Sequence, residues 1–342
     1  MSNMTTSSAP GKIILFGEHA VVYGRPALAV PVTQVHADVE VSDSSRAGIW
    51  INAPDVDLHA ELNTLPCDHP VAAVIYNLFF SLGISPHPSP LSRRERGWGE
   101  GLEIKISSTI PVASGLGSGA AVTVALLRAL SSFLFHPLSD EQVNSLAYEI
   151  EKLHHGTPSG IDNTVITYAR PVYFIKHPPS PSRSPTGVLR EGAGGEVETV
   201  KVGAPFTIVI GDTGISAPTK QSVSDVRKLW LKNTNRFERV FDEVGQIALM
   251  ARRVIESGQP ALLGDLMDQN HALLQEITVS SPELDRLVRA ARKAGALGAK
   301  MSGGGRGGNM IALVNKESAP AVAEALRSAG AIRTIITTVQ AI

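Results

Sequence analysis

A glycine-rich stretch in the first half of the chain contains the residues best suited to bind a phosphate. Residues 110–121 read Ile-Pro-Val-Ala-Ser-Gly-Leu-Gly-Ser-Gly-Ala-Ala, and a run rich in Ala, Val and Leu follows. Glycine reaches backbone conformations that other residues avoid, and it lets a ligand approach the main chain. A glycine loop that opens into a helix also directs free N–H groups toward one anion. The stretch therefore predicts a phosphate-binding loop over 111–121, with a flexible turn before a core helix as the alternative.

Two common nucleotide-binding signatures are excluded by the spacing of the glycines. A Walker A loop needs Gly-Lys-Ser/Thr, which does not follow this stretch. The dinucleotide fingerprint needs wider gaps than the single residues that separate Gly115, Gly117 and Gly119. A second glycine cluster at 303–308 does fit G-x-G-x-x-G, but it precedes a predicted strand instead of opening a helix. Dinucleotide binding is therefore not predicted for either cluster.

The phosphate-binding loop is predicted to lie between a strand and a helix. Apolar periodicity predicts the strand over 103–107 and the helix over 120–133. Ser139 and Gln142 have the spacing of a capping box, which predicts that a further helix begins there. The pattern therefore places a carboxylate, Glu151, near the end of that second helix.

The remaining pattern is mixed α/β in the first half and consists of helices with a small sheet in the second half. One predicted strand covers 21–23 and 27–32 and is interrupted by a turn at 24–26. The other predicted strands are 12–16, 36–41, 165–168, 172–175, 206–211, 310–314 and 332–339. The predicted helices are 70–82, 222–256, 260–277, one from 282 that stops at 295, and 319–329. Residues 85–101 and 178–196 are rich in proline, glycine or charge, so we expect exposed insertions there.

The composition is that of an ordinary globular protein and excludes several classes of function. Of the 342 residues, 43% are hydrophobic and 18% are charged, and the net charge of −1 gives no basic excess for binding nucleic acid. Cys67 is the single cysteine, so neither an internal disulfide nor a cysteine-rich metal site is expected. No secretory signal pattern opens the chain, and no apolar run approaches the roughly 18 residues of a membrane helix. We expect a cytoplasmic protein that binds neither nucleic acid nor membranes.

Several motifs occur together, in one order, along the chain. Residues 9–24, 111–121 and 301–308 resemble the three motifs of the GHMP kinases, the family of galacto-, homoserine, mevalonate and phosphomevalonate kinases. Within that family, Gly-Glu-His-Ala-Val-Val at 17–22 and His-Gly-Thr-Pro-Ser-Gly-Ile-Asp-Asn at 155–163 are most like the mevalonate kinases. The resemblance covers the chain except for the two insertions. It implies transfer of the γ-phosphoryl of ATP to the 5-hydroxyl of mevalonate, an early step of isoprenoid biosynthesis.

The family also implies a fold and leaves alternatives for the function. An α+β chain of this kind has an N-terminal domain like domain 2 of ribosomal protein S5, here 1–205, and a ferredoxin-like C-terminal domain, here 206–342. The active site is expected in the cleft between them, with ATP and Mg²⁺ bound there. The alternatives to a mevalonate kinase are a kinase for another small alcohol and a binding protein without activity. Formation of a homodimer is left open.

Two residues match the catalytic positions of the family. The resemblance makes Asp162 the group that accepts the proton of the substrate hydroxyl, and a positioned base typically contributes on the order of 10²–10⁴-fold in rate. Asp162 otherwise only caps a turn. Lys12 matches a lysine near the reacting oxygen, where a cation holds the aspartate ionised. Without the surrounding motif, Lys12 would be a solvated lysine on a strand.

The remaining site residues follow from the same resemblance. Glu18, His19 and Thr219 match the substrate pocket, although Glu18 and His19 would otherwise form a surface pair. Glu151 matches a magnesium ligand, and its alternative is an exposed glutamate beside His155 on one helix face. The positions expected to bind ATP are Ser108, Pro111, Ala113, Ser114, Gly115, Leu116, Gly117, Ser118, Gly119 and Ser159.

This chain departs from the family pattern at both glycine clusters. The family has a second serine where this chain has Gly119, and the hydroxyl of that serine reaches the metal. Either Ser118 takes this role as a metal ligand, or water completes the metal shell. In the second cluster, Arg306 lies among the glycines. It either contacts a phosphate or is solvated.

Overall fold

The computed structural model describes most of the chain. The described ranges are 4–84, 101–111, 114–155, 159–176, 195–216 and 219–341. The predicted insertions lie outside these ranges, except that Gly101 and residues 195–196 begin strands. Within the described ranges, no helix has the length and apolar character needed to span a membrane.

The first sheet has seven strands and is built around one long strand. Its members are β1 (Met4–Phe16), β2 (Pro26–Ser44), β3 (Gly48–Ala53), β4 (Leu58–Glu61), β5 (Gly101–Ser108), β6 (Val172–Lys176) and β7 (Gly195–Thr199). β1 lies antiparallel along one edge of β2, while β5 and β6 pair with opposite ends of the other edge. The strand order is β4-β3-β5-β2-β6-β7, with β1 beside β2. Strand β2 thus connects both ends of the sheet.

Helices pack on both faces of this sheet. They are α1 (Pro70–Ser81), α2 (Ser118–Phe133), α3 (Asp140–His155) and α4 (Ile161–Tyr168). Alternate residues of 35–41 in β2 are buried, as expected for a strand with one covered face, whereas 27–30 is buried throughout. On the second face, Ala27 and Ala29 pack in a cluster with Ile161 of α4. This contact fixes the start of α4 against the sheet.

The second sheet has four antiparallel strands and lies in the second half of the chain. They are β8 (Phe206–Asp212), β9 (Gly298–Ser302), β10 (Asn309–Val314) and β11 (Arg333–Val339), in the order β11-β8-β10-β9. The helices of this half are α5 (Thr219–Lys232), α6 (Thr234–Glu256), α7 (Leu263–Glu276), α8 (Pro282–Lys293) and α9 (Ala319–Ser328). The predicted mixture of α and β elements is therefore confirmed in both halves.

The capping signals of the sequence are confirmed at two helices. The backbone N–H of Ser139 donates to Gln142 Oε1 at 2.9 Å, and the backbone N–H of Gln142 donates to Ser139 Oγ at 3.3 Å. This reciprocal pair is the capping box predicted before α3. Before α8, Ser281 Oγ accepts from the backbone N–H of Leu284 at 3.4 Å. Both helices therefore begin where the sequence placed them.

Three strand predictions are wrong. Residues 21–23 belong to a short 3-10 helix (Ala20–Tyr23), and residues 165–168 belong to α4, although β-branched residues favour strands. In each place one valine, Val21 or Val165, is buried in the cluster that packs on β2, and tertiary packing outweighs a weak local preference. The predicted break at 33–35 is a bulge within the continuous strand β2, because Pro10 pairs with His36 and Gly11 with Val32.

Two predictions in the second half also need correction. The helix predicted over 222–256 is two helices, α5 and α6, which are separated at Asn233. Strand β9 was not predicted, because its sequence, Gly-Ala-Lys-Met-Ser, has a lysine at its centre and lacks β-branched residues. All five of its residues are buried, so pairing with β10 determines its conformation.

The two halves share one apolar core. Its largest cluster includes Phe16 and Leu28 from the first sheet together with Phe206, Ile247 and Met267 from the second half. We propose the division 1–205 and 206–342 because each part contains its own sheet. The common core means that the two parts are packed against each other and not joined by a free linker.

Candidate active site

An ion pair between Lys12 and Asp162 lies at the centre of the candidate site. Lys12 is on β1 and Asp162 is in the first turn of α4, and Lys12 Nζ lies 3.0 Å from Asp162 Oδ1. The lysine side chain is only 6% exposed, whereas that of the aspartate is 35% exposed. A buried cation therefore holds a carboxylate that solvent and ligands can reach.

The glycine-rich loop packs directly on Lys12. The backbone N–H of Lys12 donates to the carbonyl of Leu116 at 2.9 Å. Gly117 precedes the first residue of α2 with φ of 78°, in the left-handed region. A Cβ atom there would lie 2.9 Å from Ile166 Cδ1 and 3.0 Å from Lys12 Cγ. The loop, the lysine and the aspartate are thus one structural unit at the N-terminus of α2.

Gly117→Ala should damage this unit. An L residue at this positive φ costs about 1–2 kcal/mol, and the added methyl group must displace Lys12 or Ile166. We expect a lower free energy of unfolding, and a loss of activity of at least about tenfold, because small displacements at an active site are costly. Urea denaturation and steady-state kinetics measure the two effects. Gly119→Ala is the matched control for stability, since no atom lies within 4 Å of its added Cβ. Equal stability of the two variants would contradict this account.

The second glycine cluster contacts the first. The side-chain amide of Asn309 donates to the carbonyl of Ser114, and a Cβ on Gly308 would lie 3.5 Å from the same oxygen. Thr213, just after β8, donates to the carbonyl of Gly308 from both its backbone N–H and its hydroxyl, each at 2.9 Å. The two glycine clusters, which resemble separate motifs of the family, are therefore neighbours in space.

Glu151 is electrostatically coupled to the central ion pair. Burial, and to a smaller extent the negative charge of Asp162, raises its pKa to about 7, while the positive charge of Lys12 opposes this shift. Two carboxylates near a single ammonium group suit a hard divalent cation. No group of three His, Cys, Asp or Glu side chains in the described ranges could hold a metal alone. A cation here would therefore need further oxygen ligands, such as nucleotide phosphates.

Glu18 is buried and is not part of a surface pair. Its side chain is fully buried and forms an ion pair with Lys300 Nζ, which also donates to the carbonyl of Met301 at 2.7 Å. Burial raises the pKa of Glu18 and lowers that of Lys300. Glu18 is therefore an internal group that joins the first motif to β9, and its contact with the substrate remains a prediction.

Lys300 is the residue that the sequence reasoning missed. The available signal was a lysine in the middle of the short segment 298–302, directly before the second glycine cluster. A buried lysine needs a partner. A search for a carboxylate in an equally apolar setting would have found Glu18, which lies between Gly17 and His19 after an apolar strand.

His19, in the first motif, contacts the second glycine cluster. It is 5% exposed, and its Nε2–H donates to the carbonyl of Gly304 at 3.0 Å. Burial lowers its pKa to about 4, and the positive charge of Arg306 contributes to this shift. The imidazole is therefore neutral near pH 7, and it can offer hydrogen bonds to a ligand but no positive charge.

The other predicted residues lie at the edges of the site. Ser108 accepts from the backbone N–H of Ile110 at 3.1 Å, and its own N–H donates to Asp55, so no bond joins it to the central pair. Ser159 Oγ accepts from the backbone N–H of Ile161 at 3.3 Å, just before Asp162. The carbonyl of Pro111 accepts from Ser114 Oγ, and Gly115 lies in the loop. Ser118 and Gly119 form the first turn of α2, and Thr219 begins α5. Ala113 lies outside the described residues.

Arg306 is not simply solvated. Its Nη1 lies 2.6 Å from Asp225 Oδ2, and its Nε donates to the carbonyl of Thr278 at 3.3 Å. It therefore connects the second glycine cluster to α5.

Family models match both halves of the chain. The model described as GHMP kinases N terminal domain matches residues 90–170, and that described as GHMP kinases C terminal matches residues 251–332. The first match contains the glycine-rich loop, Glu151 and Asp162, and the second contains Lys300 and the second glycine cluster. The matched segments therefore include both glycine clusters, whereas Lys12, Glu18 and His19 lie outside them.

Individual relatives are similar over nearly the whole chain. Mevalonate kinase from Pyrococcus abyssi (strain GE5 / Orsay) is 34% identical over 96% of this chain and 94% of its own length. Mevalonate kinase from Thermococcus onnurineus (strain NA1) is 36% identical over 95% and 93%, respectively. The crystal structure of L. major mevalonate kinase in complex with R-mevalonate has a TM-score of 0.80 at 28% identity and covers 99% of this chain and 97% of that chain. The chain belongs to the GHMP kinase family and, within it, to the mevalonate kinases.

Proposed function

We propose that the chain transfers the γ-phosphoryl group of ATP to the 5-hydroxyl of mevalonate and so forms 5-phosphomevalonate in the cytoplasm. The observation that supports this most is the pairing of Lys12 and Asp162 beneath the glycine-rich loop. A general base, a cation and an anion-binding helix start are the groups that phosphoryl transfer to an alcohol requires. The solved L. major relative has R-mevalonate bound, which supports the choice of acceptor.

The roles of the residues follow from their positions. Asp162 accepts the proton of the attacking hydroxyl, and Lys12 orients this carboxylate through their ion pair and stabilises the oxygen as it loses its proton. The N-terminus of α2 and the glycine loop direct backbone N–H groups toward the phosphates. The transition state of such transfers is loose, so positioning and neutralisation of charge supply most of the rate increase.

We propose that the divalent cation is Mg²⁺ and that Glu151 and Ser118 would hold it. A bound Mg²⁺ would neutralise charge that develops between the β- and γ-phosphates. Glu151 fits this role because burial and the charge of Asp162 disfavour its negative charge more than Lys12 favours it, so a further cation would be stabilising there. Gly119 provides no hydroxyl, and water can complete the shell because Mg²⁺ usually keeps several water ligands.

Gly119→Ser tests the metal shell. The position has an ordinary backbone conformation, and no atom lies within 4 Å of an added Cβ, so serine should fit and should raise the free energy of unfolding by about 0.5–1 kcal/mol over glycine in a helix. We expect the Mg²⁺ concentration for half-maximal activity to change by less than about twofold, because water already completes the shell. Ser118→Ala should raise that concentration. A much lower Mg²⁺ requirement in Gly119→Ser would assign the ligand to position 119 instead.

A substrate panel tests the proposed reaction. The purified protein with ATP and Mg²⁺ is offered mevalonate, phosphomevalonate, homoserine and galactose, and ADP release is followed. We expect turnover with mevalonate and little with the others. Turnover of another alcohol without turnover of mevalonate would assign a different acceptor. Absence of turnover with all four would favour a binding protein without activity.

A further inference from the structure

The second glycine cluster contains one side chain where the backbone favours none. Within 303–308, Gly303, Gly305, Gly307 and Gly308 all have positive φ, and Arg306 also has a φ of 60°. Glycine adopts this conformation without strain, whereas an arginine does not. Strained non-glycine residues persist where the surrounding contacts hold them, and they concentrate at functional sites. The contacts of Arg306 therefore need an explanation beyond the folding of the loop.

Arg306 joins three segments of the second half. Its Nη1 is 2.6 Å from Asp225 Oδ2 on α5, and its Nε donates to the carbonyl of Thr278 after α7. Its backbone N–H donates to the carbonyl of Val279 at 2.7 Å. Asp225 is itself held on α5, since Gln221 Nε2 and Lys228 Nζ donate to its Oδ1 at 2.9 and 3.0 Å. The ion pair thus connects a preorganised carboxylate to a preorganised guanidinium group.

Helix α5 has few other anchors. From Gln221 to its end, only Ser222 and Val226 are buried. Leu229 and Trp230 are partly packed on the second core cluster, and Trp230 Nε1 donates to Glu238 Oε1 of α6 at 2.8 Å. A helix with such a small buried surface depends on individual contacts for its position. The ion pair between Arg306 and Asp225 lies about two turns from the start of α5. The first residue of this helix, Thr219, matches a substrate-side residue of the family.

The other end of the glycine cluster contacts a second substrate-side residue. Gly304 accepts from His19 Nε2, and the positive charge of Arg306 contributes, after burial, to the low pKa of that imidazole. The cluster therefore lies between His19 on one side and α5 on the other.

We propose that Arg306 and Asp225 form a latch that fixes the first turns of α5 against the second glycine cluster and thereby sets the geometry of the substrate side of the active site. This inference rests on the proposed function for its kinetic part. Both residues are positioning residues, because they act through α5 and the loop.

Arg306→Gly separates this role from stability. Glycine relieves the strained φ, so the melting temperature should be unchanged or higher, although the ion pair is lost. The KM for mevalonate should rise by about tenfold, because binding energy from correctly placed groups is lost, while the KM for ATP should change by less than about threefold. Asp225→Asn should have the same selective effect, and the double variant should lose no more than either single one, since all three break the same contact. An unchanged KM for mevalonate, or additive losses, would overturn the latch.

Hydrogen exchange of the α5 amides provides a readout that does not depend on the substrate. Exchange over 221–232 should be faster in Arg306→Gly than in the unmodified protein, while exchange in α6 stays the same. Arg252→Ala, which breaks a 2.6 Å pair between α6 and β7 away from both glycine loops, is the control and should leave α5 unchanged. Unchanged exchange in α5 would overturn the latch even if the substrate panel assigned another acceptor. Faster exchange with an unaltered KM for the accepted alcohol would overturn its effect on the active site.

Discussion

Asp162→Asn should lower kcat by about 10²–10⁴-fold, the contribution expected of a positioned general base. Asparagine has nearly the same shape as aspartate, but it cannot accept the hydroxyl proton, and it no longer forms an ion pair with Lys12. ATP should still bind, because the glycine loop receives its contacts from Lys12 through backbone atoms and the lysine stem. The KM for ATP should therefore remain within about threefold of the original value, which marks a loss in the chemical step.

The measurement pairs single-turnover kinetics with direct titration of ATP binding. Asp57→Asn is the matched control, because Asp57 is an exposed residue in the left-handed region, where asparagine is well tolerated. This control should retain full activity. Near-normal turnover of the Asp162→Asn protein would remove Asp162 from its role as the base and leave it as a cap of α4.

The central site could be predicted because its residues lie in short, contiguous motifs. The glycine spacing at 115–119 indicated an anion-binding helix start on physical grounds alone, and the structure places Gly117 at that start. Lys12 and Asp162 are about 150 residues apart, and local pattern gives no reason to pair them. Only the resemblance to a family brought them together before the structure did.

The parts that failed depend on tertiary burial. Residues 165–168 have the composition of a strand, yet they form the end of an eight-residue helix because Val165 packs on the face of β2. A surface pair of Glu18 and His19 was the alternative in the sequence, and it is wrong because Glu18 is fully buried. A carboxylate beside a histidine is polar in sequence, and nothing local indicates this burial. Lys300 was overlooked for the same reason. Charged residues buried as a pair are invisible to any pattern that treats charge as a sign of exposure.

Lys300→Met should destabilise the protein by about 3–5 kcal/mol, the cost typical of breaking a buried ion pair by removing one partner. Methionine fills a similar volume, so the loss comes from the Glu18 carboxylate, which would remain buried without a cation. One oxygen of that carboxylate, Oε2, already has no hydrogen-bond partner. Urea denaturation monitored by circular dichroism measures the effect, and Lys105→Met is the matched control. Lys105 pairs with Glu40 at 3.2 Å on the exposed face of the first sheet, where solvent screens the pair, so its loss should change the stability little.

The double variant Lys300→Met/Glu18→Gln identifies the origin of the loss. Replacing both charges of a buried pair is often neutral, because the cost of removing two ions from water disappears together with their attraction. We therefore expect the double variant to recover most of the stability lost in Lys300→Met. The side-chain amide of glutamine supplies a hydrogen-bond donor near the Met301 carbonyl, which loses its bond from Lys300 Nζ. The neighbouring His19 imidazole should therefore keep its bond to the Gly304 carbonyl. If the double variant were as unstable as Lys300→Met, the lysine would stabilise the fold by packing in β9 and not by its charge. If Lys300→Met cost no more than Lys105→Met, the pair would not be buried in solution.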